Sequence, residues 1–165
     1  MELTKEQGYE LARHGTLDIG DGMTLRFRED QDADTTINDY DYLGKVSPIG
    51  RHDYQPTRPD GFDGMAEKVS TQCDTFWWQP PDDLRKGWVT YEHKKELRQA
   101  VRDILNYGYQ VFVVELRKGT DAYGNPIVID YGCLGGIEPF MSDEDKGETV
   151  RDIVYEMNVP ELVAN

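Results

Sequence analysis

The run from Leu97 to Leu134 limits the fold more than any other part of the chain. Leu97, Ala100, Val101, Ile104, Leu105 and Tyr107 recur at helical spacing, while Lys94, Lys95, Arg98 and Arg102 fall mostly on the opposite side. Gly108 closes that helix, and YQVFVVELR (Tyr109–Arg117) follows as a well-buried strand. The loop KGTDAYGNP then returns the chain into a strand over Ile127–Leu134. A loop of that length is long for a tight hairpin but suits an antiparallel return. Helix and strand do not alternate strictly here, which argues for α+β and against a doubly wound α/β fold.

The N-terminal segment carries its own signals. Thr4 and Gln7 have the spacing of a capping box, a helix runs to His14, and Gly15 is placed for a left-handed stop. Leu17 and Ile19, then Met23, Leu25 and Phe27, alternate with polar residues on either side of Gly20-Asp21-Gly22, predicting a hairpin. Tyr42, Leu43 and Val46 suggest a short strand, and Val69–Trp78 a strand that stops against Pro80-Pro81. Ser142 is placed to cap a last helix with an apolar stripe of Val150, Ile153, Val154 and Met157, ended by Pro160. The expected fold is α+β, a mainly antiparallel sheet of four to six strands with about three helices packed against it, Thr90–Tyr107 lying on one face. Residues 1–165 read as one domain, with a Pro/Gly-rich loop at about 47–64.

Charge narrows the function classes. The net charge is −14, made up of −9 over residues 18–83, +4 over 84–118 and −6 over 138–165, with the remainder elsewhere. A field of that sign repels nucleic acid and anionic membrane, so no direct partner of either kind is expected. No segment approaches the roughly 20 apolar residues needed to cross a bilayer. The N-terminus lacks a basic region followed by an apolar stretch, so no signal peptide is expected. Cys73 and Cys133 read as reduced thiols in a cytosol, a disulfide between them being the alternative.

The sharpest charge feature is EDQDADTTINDYD, residues 29–41, with six carboxylates and no Lys or Arg. Such a run needs water and salt, a metal ion or a basic partner. Counted from Asp30, a calcium loop would draw on Asp30, Asp32, Asp34, Asn38 and Asp41, with Thr36 between. Thr35 stands where that loop needs Gly, Asp41 is short for the bidentate position, and a strand precedes it. As an exposed surface, Glu29, Asp30, Asp32, Asp34, Asp39 and Asp41 would face a partner protein. Tyr40, Tyr42 and Trp78 are the aromatic residues expected to join them, because Tyr and Trp dominate binding hot spots. In an alternating strand Trp77 and Trp78 point to opposite faces, one to the core and one outward.

Catalytic patterns are mostly missing, a pair of Cys133 with one of the histidines being the one left open. Cys133 lacks the Gly two residues before it that a nucleophile elbow requires, Tyr131 standing there, and a small buried thiol explains it better. His14, His52 and His93 are the only histidines, and Gly132, Gly135 and Gly136 lack the context of a phosphate loop. No cofactor and no enzyme activity are expected. The basic residues Lys94, Lys95, Arg98 and Arg102 read as a solvated helix face.

The segments LTKEQGYELARHGTLDIGDGMTLR, INDYDYLG, FWWQPPDD and GYQVFVVELRKGTDAYGNPIVIDYGCLGGIE together resemble small acidic proteins of unknown function encoded by bacteriophages of actinobacteria. That resemblance implies a non-structural accessory protein in the cytosol of an infected bacterium, acting on a host protein. One version is nucleic-acid mimicry, with carboxylates standing in for phosphates before a nucleic-acid-binding partner. The alternative is a divalent-metal module or small metal-dependent enzyme built on the 30–41 loop. A homo-oligomer that hides its aromatic surface is a third reading.

Overall fold

The computed structural model describes residues 1–47, 58–72, 74–82 and 91–161. In chain order the described elements are α1 (Lys5–His14), β1 (Thr16–Gly20), β2 (Met23–Asp32), a 3-10 turn (Ile37–Asp39), β3 (Lys45–Val46), β4 (Glu67–Ser70), β5 (Thr75–Gln79), α2 (Tyr91–Tyr107), β6 (Tyr109–Thr120), β7 (Pro126–Ile137) and α3 (Asp143–Glu156). The fold is α+β, as expected, with a four-stranded sheet in the order β1-β2-β6-β7 and a three-stranded sheet in the order β3-β5-β4. Contacts group the chain into two compact units, Met1–Asp32 with Gln110–Asn165, and Ala33–Tyr109. No described helix is long and apolar enough to cross a membrane.

In the first unit, apolar periodicity dictates the layers. Alternation on β1 and β2 sends Leu17, Ile19, Met23, Leu25 and Phe27 to one face, where Phe112, Val114 and Leu116 of β6 join them. Leu3 and Leu11 near α1 and Val150, Ile153 and Val154 of α3 cover that face. Thr4 and Gln7 form the expected capping box, and Gly15 stops α1 at φ 79°. The helices cross where neither carries a side chain. A Cβ at Gly8 would lie 2.7 Å from the Gly147 carbonyl oxygen, and one at Gly147 would lie 3.1 Å from the Tyr9 backbone. Gly147 is therefore a packing requirement as well as a weak helix former.

In the second unit, α2 packs Val101 and Ile104 onto Val69 and Trp78 of the small sheet. The sequence placed this helix on the main sheet. It belongs to a second core because its apolar stripe follows β4 and β5, its nearest preceding strands in the chain.

Two further boundaries and the setting of Cys133 differ from expectation. The stretch 69–78 is two strands, because Thr71 and Asp74 close a turn through Thr71 Oγ1 and the Asp74 backbone. Strand β6 continues to Thr120, so the link to β7 is a short turn in which Asp121 accepts from the Tyr123 and Asn125 amides at 2.9 Å. Those two bonds, Asn125 first, hold the Asp121 carboxyl below its ordinary range. Cys133 lies exposed on β7 and not in the core, because it pairs with Val113 on the face of the sheet opposite to that of Gly132, which meets Ile153 and Met157. Of the expected Pro/Gly loop, residues 48–57 lie outside the described residues, as do Cys73 and His52; Arg58–Gly64 is irregular, with the Phe62 amide donating to Pro59.

Candidate binding groove in the second unit

The acidic run divides between the two units, and most of its carboxylates are held by their own unit. Glu29, Asp30 and Asp32 belong to β2, which runs four residues further than the alternation suggested. Glu29 pairs with Lys146 at 2.5 Å and Asp30 with Arg28 at 3.0 Å. Asp32 departs most from the expected exposed surface. It is buried, and its Oδ2 accepts from the Gly136 amide at 2.8 Å. A Cβ at Gly135 would come within 2.8 Å of the same oxygen, so glycine there makes room for the carboxylate.

The rest of the run belongs to the second unit. Asp34 is exposed. Asp39 folds back on the Thr36 amide at 2.7 Å, and Asn38 bonds both the amide and the carbonyl of Val46 at 2.9 Å. Among the described residues no three His, Cys, Asp or Glu side chains are gathered so as to hold a metal ion. Asp32 and Asn38, two of the five expected ligands, are spent on backbone groups.

Trp78 is a second correction. The ring is fully buried, and it is Trp77 that lies partly exposed, with the Lys68 ammonium 5.4 Å from its ring centre. Pairing fixes this parity. Trp78 stands opposite Val46 on β3, on the side that faces α2, and its Nε1 donates to the Leu43 carbonyl at 2.6 Å. A buried indole needs such an acceptor.

These contacts build a surface. Asn38 ties the ends of the segment 38–46 together by holding Val46, Trp78 holds Leu43 within it, and Gly44 lets it approach β5. Gly44 sits at φ 84°, where a Cβ would lie 2.0 Å from the Gln79 carbonyl oxygen. Side chains between the pins are pushed outward. Tyr40 and Tyr42 stand edge to face at 5.9 Å, and Tyr40 meets Tyr109 in the same way at 5.6 Å. Tyr42 remains half exposed.

Beside Tyr42 lies an open groove of about 640 Å³. Tyr42, Pro80, Pro81 and Leu97 give it apolar walls, and Asp41, Asp82 and His93 its charged or polar rim. Lys45 also reaches it, but its ammonium is held by the Gly61 carbonyl at 2.9 Å and lies over the Phe62 ring. Groove residues 79–82 carried a sequence signal as a strand stop, with nothing to indicate that the 41–44 turn would face them.

The basic residues of α2 are not a simple solvated face. Lys94 pairs with Glu67 at 3.0 Å, Arg98 donates to the Lys68 carbonyl at 3.0 Å, and Arg102 to the Ser70 carbonyl at 3.2 Å. Their helical spacing, one every four residues, matches the run of β4, the edge strand beneath them.

Comparison with protein-family models, with curated proteins and with solved structures returned no match.

Proposed function

We propose that this chain is a binding protein without chemistry of its own, and that the groove beside Tyr42 takes a basic, extended segment of another protein. One observation carries the reading: an exposed tyrosine and two prolines share a groove with the carboxylates of Asp41 and Asp82. Tyr and Pro offer rigid apolar contact at low entropic cost, and the carboxylates select for Lys or Arg. The net charge of −14 adds long-range attraction for a basic partner. The phage resemblance implies a host protein as partner, and a nucleic-acid-binding one would have such segments.

Mimicry of a phosphate backbone draws less support. It needs a row of unpaired carboxylates, whereas Glu29, Asp30, Asp32 and Asp39 are engaged by Lys146, Arg28, Gly136 and Thr36. The metal alternative through Asp30, Asp32, Asp34, Asn38 and Asp41 draws none from the geometry.

Capture from a bacterial lysate tests the groove. Immobilised protein should retain a specific partner that the Asp41→Asn/Tyr42→Ala variant releases and that raised salt elutes. Equal capture by both forms, or no capture at low salt, would sink the reading.

A further inference from the structure

The sheets have three edges among the described residues that need protection from other strands, and a fourth, β3, is only two residues long. Exposed strand edges template pairing with other chains unless they are short, charged, bulged or covered. Strand β1 is five residues long, is interrupted at Asp18–Gly20, and carries Asp18. Strand β4 is four residues long and has its carbonyls tied to Arg98 and Arg102. Strand β7 keeps only the bulged kind of defence, its register with β6 shifting between Ile137 and Leu134 and between Asp130 and Val128. It runs twelve residues, and no described strand pairs with its outer side.

The side chains of β7 sharpen the contrast. Ile127, Val128, Ile129, Tyr131 and Leu134 are 41 to 67% exposed, and Tyr123 at the hairpin tip is 90% exposed. Those six are nearly half of the thirteen exposed large apolar or aromatic side chains described, so the apolar surface is concentrated on one strand and its turn. Asp130 is the only charged residue of β7, and its Oδ2 accepts from the Asn158 amide at 2.9 Å.

We propose that β7 pairs antiparallel with β7 of a second copy of this chain, joining two four-stranded sheets across a two-fold axis. Charge decides the occupant. A strand with one engaged carboxylate gives no attraction for a basic segment, so this edge does not suit the partner assigned to the groove. Two copies at −14 each repel, and an almost uncharged strip is where they approach at least cost. An antiparallel pair of identical strands is self-complementary, as a two-fold interface requires. Like charges directly opposite one another disfavour any register that sets Asp130 against Asp130.

Light scattering on the full chain, with reductant present, tests this. The expected mass is twice 19.0 kDa, and added salt should strengthen the dimer by screening repulsion, the reverse of the groove's salt response. Ile129→Lys and Tyr131→Glu change exposed side chains and should give single chains with an unchanged far-UV spectrum. Cys133→Ser should stay dimeric. The amides of residues 127–134 that point away from β6 should exchange slowly in the parent protein and fast in Ile129→Lys, while those donated to β6 stay slow in both. A single chain at every concentration and salt, a dimer lost in Cys133→Ser, or a dimer unaffected by both β7 variants would each overturn the proposal. Amides over 127–134 that become protected only on adding a foreign protein would assign the edge to that partner.

Discussion

The two sheets are stabilised by different means. The first rests on apolar area: alternating residues of β1, β2 and β6 meet the stripes of α1 and α3, and two glycines bring the helices together. The second has a smaller core and adds polar pins between side chain and backbone. Asn38 holds Val46, Trp78 holds Leu43, Lys45 holds Gly61, and Arg98 and Arg102 hold the rim of β4. Area burial tolerates small shifts, because any close-packed arrangement gains it. A pin fixes one geometry and is lost if the chain moves by an ångström. The groove is built on pins.

The largest expected effect falls on that difference. Gly44→Ala sets a methyl 2.0 Å from the Gln79 carbonyl oxygen at a left-handed φ. Strain and overpacking together predict a loss of about 3 to 5 kcal/mol. All three tryptophans, Trp77, Trp78 and Trp88, lie between Ala33 and Tyr109, so indole fluorescence follows the second unit alone. In urea the fluorescence midpoint of Gly44→Ala should fall well below the far-UV midpoint. Coincident transitions would show that the units unfold together, and the contrast would then be structural only.

Trp78→Phe is the next test, removing one pin while keeping an aromatic ring. The Leu43 carbonyl loses its buried donor and the smaller ring leaves space, which predicts a loss of about 2 to 3 kcal/mol. The remaining indole fluorescence should shift to a lower urea midpoint. A change under about 0.5 kcal/mol would mean the hydrogen bond has little net value there.

The same contrast explains what was legible in the sequence. Periodicity and caps mark α1, the β1–β2 hairpin, β6 and α3, because each depends on neighbours within one turn or one strand. The turn at Thr71–Asp74 carries no Gly or Pro, so two strands read as one. Trp77 and Trp78 are interchangeable until β3 pairs with β5 and fixes the parity. Asp32 reads as surface because the amide that binds it is 104 residues away. Pins are encoded by single polar residues whose partners lie elsewhere in the chain, and pattern has no purchase on them.

Gly8→Ala probes the first unit in the opposite sense. In an ordinary helix interior Ala is favoured over Gly by about 1 kcal/mol. Here the added methyl meets Arg151 Cγ at 2.4 Å and the Gly147 carbonyl oxygen at 2.7 Å, and only the first can move aside easily. A net loss of about 1 to 2 kcal/mol is expected, read by far-UV signal with the fluorescence midpoint unchanged. A gain would show that α1 and α3 separate at little cost, and the first unit would be looser than its core suggests.

The smallest effect is electrostatic and links β2 to β6. Glu115 is largely buried, which by itself raises its pKa, but bonds from Arg117 and Arg28 outweigh that and hold the carboxyl below its ordinary 4.5. A carboxylate lowered in the folded state adds stability that is complete above the unfolded pKa and is lost as pH falls through the folded one. Glu115→Gln keeps the shape and removes the charge. The difference in urea midpoint between parent and variant should therefore be constant at neutral pH and should shrink only below 4.5, cancelling the titration of the other carboxylates. A difference that did not vary with pH would assign the role of Glu115 to packing, and the first sheet would then rest on apolar area alone.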